Sequence, residues 1–167
     1  MLEARVLRIF IGSPGDISDD KSVVRECINN WNSYHAPNRG IVFLPVTGED
    51  VSPDSRSPAQ RLINAKAIAH CDALIAPFWT SIGTRTKDAI SGTVNEIEEF
   101  QKDNKRAAIF FCHKDVPTNR TAGSNIVRRF ERKLHSVDSG LTSTYKIPDT
   151  LRQKVDALLV DIANEAS

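Results

Sequence analysis

The chain has 167 residues, 40% hydrophobic and 26% charged, with a formal net charge of +1. That length suits one domain with a core large enough to fold alone, and the near-neutral charge gives no pull toward nucleic acid, membranes or acidic partners. No basic-then-apolar leader opens the sequence, no apolar run approaches the roughly 18 residues of a membrane span, and Cys27, Cys71 and Cys112 lack C-x-x-C spacing, so they read as buried free thiols of a cytoplasmic protein.

Residues 6–11, Val-Leu-Arg-Ile-Phe-Ile, are rich in β-branched and aromatic types and stop at Gly12-Ser13-Pro14-Gly15, a strand feeding a tight turn. Asp16 is placed to cap the next helix, whose apolar residues Val23, Val24, Cys27, Ile28 and Trp31 recur at helical spacing. Asn38-Arg39-Gly40 breaks that pattern. Residues 41–46 form a second strand with Pro45 at its edge. Ser57-Pro58-Ala59-Gln60 is a strong helix start, with Leu62, Ile63 and Ala69 expected to face the core.

Residues 72–79 are almost continuously apolar, as a central parallel strand is, with Pro77 near the end. A helix over 93–100, a strand over 107–112 and a helix carrying Ile126, Val127, Phe130, Leu134 and Val137 follow. Arg128, Arg129, Arg132 and Lys133 read as that helix's wet face. A weak edge strand at 142–145 precedes a last helix that starts near Pro148 and buries Leu151, Val155, Leu158 and Ile162. Alternation of this kind requires crossover connections. It predicts an α/β, flavodoxin-like three-layer sandwich over residues 1–167, with a five-stranded parallel sheet in the order 2-1-3-4-5.

Ligands of such sheets bind outside the C-terminal strand ends, between strands one and three. Two loops meet there, 12–16 and 80–92. Neither a phosphate-binding G-x-x-x-x-G-K-[ST] nor G-x-G-x-x-G is present, and the strand ends lack the aspartates of a phosphoacceptor receiver. The histidines are scattered without metal-ligand spacing; His113, at the end of strand four, is either a ligand contact or a surface residue.

Within these loops, Thr93-x-x-Glu96 fits a capping box, in which Glu96 returns a hydrogen bond to the start of the helix. The same position also permits chemistry. The positive end of the helix dipole would keep Glu96 anionic, able to stabilise or attack a cationic sugar carbon as a glycosidic bond breaks. Ser13, Gly15, Asp16, Trp79, Gly83, Thr84, Ser91, Gly92 and Thr93 are the candidate substrate contacts. Turn, cap and packing roles explain Ser13, Asp16 and Trp79 as well. Glu49 and Asp50 are ribose contacts or a solvated loop pair.

Three segments carry a resemblance: Ile9-Phe-Ile-Gly-Ser-Pro-Gly-Asp16, Cys71-Asp-Ala-Leu-Ile-Ala-Pro-Phe-Trp-Thr-Ser-Ile-Gly-Thr84 and Ser91-Gly-Thr-Val-Asn-Glu96. Over residues 5–100 the chain resembles an uncharacterised bacterial domain family allied to TIR domains and nucleoside 2-deoxyribosyltransferases. The Gly-Thr-x-x-Glu run of the transferases maps onto Gly92, Thr93 and Glu96, whose glutamate would act on the anomeric carbon. The transferases carry aspartate where this chain has Ser91, a departure that bears more on transfer than on hydrolysis. Catalytic TIR domains use one glutamate to cleave the nicotinamide–ribose bond of NAD. The resemblance therefore implies an NAD glycohydrolase effector of anti-phage defence, with NAD or a related nucleotide as substrate and no resident cofactor or metal. The segment between Trp79 and Gly92 has few apolar anchors and is expected to be mobile. Like TIR domains, the site would then be completed by a homo-oligomer or an attached sensor domain of a longer protein. The alternative is a non-catalytic nucleotide-sensing or self-association module.

Overall fold

The structure, a computed structural model, describes residues 3–48, 66, 68–83, 91–137 and 141–167. The expected helix start at Ser57-Pro58, Leu62, Ile63, Glu49, Asp50 and the candidate contact Thr84 lie outside the described residues, as does most of the loop expected to be mobile. Five strands, β1 (Arg5–Ile11), β2 (Ile41–Thr47), β3 (Ala73–Phe78), β4 (Arg106–Cys112) and β5 (Thr142–Tyr145), form one sheet in the order β2-β1-β3-β4-β5. Every pairing is parallel. This is the flavodoxin-like arrangement.

Side chains alternate across the sheet and divide the core in two. On one face Leu7, Ile9 and Ile11 of β1 meet α1 (Ser18–Tyr34), which the short α2 (Ala36–Arg39) follows, and α5 (Pro148–Ala166) through Val24, Ile28, Leu151 and Val155. On the other, Phe10, Leu74 and Phe78 meet α3 (Gly92–Lys102) and α4 (Thr121–Val137) through Val94, Ile97, Val127 and Phe130. Phe78, Phe111 and Phe130 stack there with centroids 5.5 to 6.1 Å apart. At the sheet edge, Asn32 of α1 accepts from the Phe43 N–H and donates to its carbonyl, satisfying both outward groups of that residue of β2.

Pro77 shapes the site. The Gly12 N–H donates to the Ile75 carbonyl at 3.0 Å. In a parallel ladder the next donor on that side is the N–H of residue 77, which proline lacks. Pairing with β1 therefore stops at Ile75, while pairing with β4 runs on to Phe78. The loops after β1 and β3 separate at that point.

Several local expectations are corrected. Strand three ends at Phe78, leaving Trp79 outside it. Ala69 is exposed, and its neighbour Ile68 packs on the core instead. In α4 the buried stripe is Val127, Phe130 and Leu134, with Ile126 and Val137 turned to solvent. In α5 Leu159 is fully buried, whereas Leu158 packs only partly.

Candidate functional site

Glu96 projects from α3 into a cleft of about 460 Å³ whose walls come from both loops. Ser13, Pro14 and Gly15 form one side; Ser81, Gly83, Gly92 and Thr93 form the other. The carboxylate lies against Gly12: a β-carbon there would come 3.4 Å from Glu96 Oε2 and 3.1 Å from the Phe10 ring. Glycine at the end of β1 thus makes room for the acid.

The capping box is overturned. The N-cap of α3 is Ser91, whose Oγ accepts from the Val94 N–H at 3.1 Å. The helix begins two residues earlier than a Thr93 cap requires, so Glu96 lies beyond the first turn and caps nothing. Ser91 is fully buried and spent on this bond, so it is a structural residue rather than a substrate contact. The expectation of a dipole-stabilised anion is also reversed. Burial pushes the Glu96 carboxyl up from 4.5 to about 7. No described residue pairs with it to offset that desolvation, and the dipole fades within the first turn. A carboxyl poised near neutrality in a cleft is suited to acid–base work on a substrate.

Asp16 does not cap α1. The N-cap there is Ile17, without a side-chain bond, and Asp16 sits in the single 3-10 turn Gly15–Ile17 before it. Its Oδ2 instead accepts from the Thr80 N–H at 2.9 Å and the Thr80 hydroxyl at 2.7 Å. Thr80 is buried, and Ile82 packs on the core, so the first residues of the loop expected to be mobile are anchored. Gly83, at φ +97°, fits against Ser91 and Thr93, in a conformation that side chains rarely adopt.

Trp79 does not line this cleft. It packs on the α1–α5 side of the core, with Lys114 Nζ 4.1 Å and Arg120 Cζ 5.1 Å from its ring. His113 is also apart, with Nε2 2.9 Å from Glu131, which in turn accepts from Arg128. Gly123 went unnoticed in the sequence. A β-carbon there would overlap the Thr80 carbonyl oxygen, so this glycine lets the start of α4 close on the β3 loop. The available signal was a glycine inside an otherwise well-formed amphipathic helix.

No protein-family model matches the chain, and no curated protein matches it.

Among the described residues no cluster of histidine, cysteine or carboxylate side chains is placed to hold a metal ion. No helix among them is long and apolar enough to cross a membrane. Of the expected site residues, Ser13, Gly15, Gly83, Gly92, Thr93 and Glu96 come together around one cavity, and Asp16 supports it from behind.

Proposed function

We propose that the chain is a nucleotide N-glycosidase that hydrolyses the nicotinamide–ribose bond of NAD or a closely related nucleotide. The observation carrying this reading is a desolvated carboxyl, Glu96, the one carboxylate among the described residues that line a polar cleft at the topological switch point of the sheet. In its ionised form it would stabilise the positive charge that grows on the anomeric carbon as the bond breaks. The electron pair of the carbon–nitrogen bond returns to the pyridine ring, which leaves neutral and needs no acid. Water then adds to the sugar carbon and releases a proton. One carboxylate therefore suffices for this leaving group.

The hydroxyl of Thr93 and the open backbone at Gly92 are suited to a ribose. The setting as an anti-phage defence effector, and completion of the site by self-association or an attached sensor domain, follow from the resemblance to TIR domains. Incubation of the intact chain with NAD tests the reading. Nicotinamide and ADP-ribose should appear in equal amounts. Folded protein that releases no nicotinamide, whether dilute or concentrated, would contradict it.

A further inference from the structure

The sheet ends at β5, and a groove of about 500 Å³ follows that edge between α4 and α5. Arg132, His135 and Ser136 line it from α4, Thr142 and Ser143 from β5, and Lys154 from α5. Positions 132, 135 and 136 follow helical spacing, so α4 turns all three away from its buried stripe of Val127, Phe130 and Leu134. His135 Nδ1 lies 3.4 Å from Thr142 Oγ1, which ties α4 to the strand. Lys154 is held without a counter-charge. Its Nζ donates to the Ser143 hydroxyl at 2.8 Å and to the Thr144 carbonyl at 2.5 Å, both neutral oxygens. Arg132 has no ion pair or hydrogen bond among the described residues. Glu131 is the one carboxylate among the described residues that line the groove, and it is already matched: it accepts from Arg128 at 2.9 Å and lies 2.9 Å from His113 Nε2. Two uncompensated cations therefore share one cavity with several hydroxyls.

We infer that this groove is a second ligand site, separate from the Glu96 cleft, which binds the phosphate group of a small molecule. A guanidinium fork and a positioned ammonium match an anion with several acceptor oxygens, and the hydroxyls beside them supply further donors. The same contacts oppose a peptide added as a sixth strand. Lys154 occupies the outward carbonyl of Thr144, which such a strand needs. The site does not depend on Glu96 being catalytic, since β5 lies two strands from β3 in the sheet.

The test is an NMR titration of the intact, isotope-labelled chain with inorganic phosphate, glucose 6-phosphate and, as the uncharged control, glucose. Backbone signals of residues 132–136 and 142–144 should shift and saturate with either phosphate probe, at a dissociation constant below about 1 mM in low salt that weakens as salt rises. Glucose should leave them still. Arg132→Ala, at an exposed position, should weaken binding about tenfold. Lys154→Gln removes the charge but keeps a donor for the Thr144 carbonyl, and should weaken it by a similar factor. Lys133→Ala, a neighbouring cation outside the groove, should change nothing, and Glu96→Gln should bind as the unsubstituted chain does. Tighter binding of glucose 6-phosphate than of inorganic phosphate would support the site as one for a phosphate ester, and equal binding would support it as one for free phosphate. No saturating shift at these residues, equal shifts around exposed cations elsewhere such as Lys133 and Lys146, or binding that survives Arg132→Ala combined with Lys154→Gln would overturn the inference.

Discussion

Asp16 holds Thr80 by two hydrogen bonds to one carboxylate oxygen, joining the loop after β1 to the loop after β3 directly behind the Glu96 cleft. Neither loop has a β-ladder at that level, because Pro77 ends the pairing of β3 with β1 at Ile75. The side-chain bridge replaces the missing backbone one.

Removing the bridge should therefore loosen the cleft. Asp16→Ala leaves two donors of a buried threonine unsatisfied, at a cost of about 2 kcal/mol and a melting temperature lower by about 5 °C. Thr80→Val, which keeps the backbone bond, should cost about half as much. Thermal unfolding of the two variants side by side checks the order. A larger loss in Thr80→Val would contradict the bridge.

Gly123→Ala is expected to be worse than its chemistry suggests. Alanine favours a helix, so propensity alone predicts a gain of up to about 1 kcal/mol. The added carbon would instead overlap the Thr80 carbonyl, and forced separation of α4 from the loop should cost about 2 kcal/mol or more. Denaturant titration gives the sign directly.

The carboxyl of Glu96 predicts opposite pH dependences for stability and activity. Its pKa is about 7 in the folded chain against an ordinary 4.5. Between those values the folded state holds a proton that the unfolded state has lost, so stability falls as pH rises through this window. The loss is on the order of 2 kcal/mol, because the side chain keeps some contact with solvent. Glu96→Gln should abolish that component. Activity runs the other way: the anion is the working form, so kcat/KM should climb to a plateau above pH 7. An acid optimum would exclude the carboxylate as the working species.

If association completes the site, NAD turnover per molecule should rise with protein concentration and rise again on fusion to an oligomer. Flat, high specific activity in demonstrably monomeric protein would count against that arrangement.

The strands were legible because central parallel strands are buried on both faces. Residues 73–78 are buried throughout, and so the sequence there is an uninterrupted apolar run. The helix starts were less legible. An aspartate after a Pro-Gly turn has the same local sequence whether it meets a helix N–H or a threonine 64 residues away. Ser91 and Thr93 are equally good caps by composition, and only the folded chain shows that Ser91 Oγ takes the Val94 N–H. The place of Glu96 near the start of α3 is legible in the pattern, but its electrostatics depend on burial in a cleft that only the folded chain assembles.

The most direct measurement compares nicotinamide release by the chain and by Glu96→Gln at equal concentration, with the melting temperature of each taken at one pH above 7. Loss of the carboxylate should cut the rate about a thousandfold, the order seen when a preorganised charge is removed from an active site. The variant's melting temperature should be equal or higher, because it no longer buries an ionised acid. An unchanged rate, or a loss of rate no greater than a fall in melting temperature explains, would contradict a catalytic Glu96.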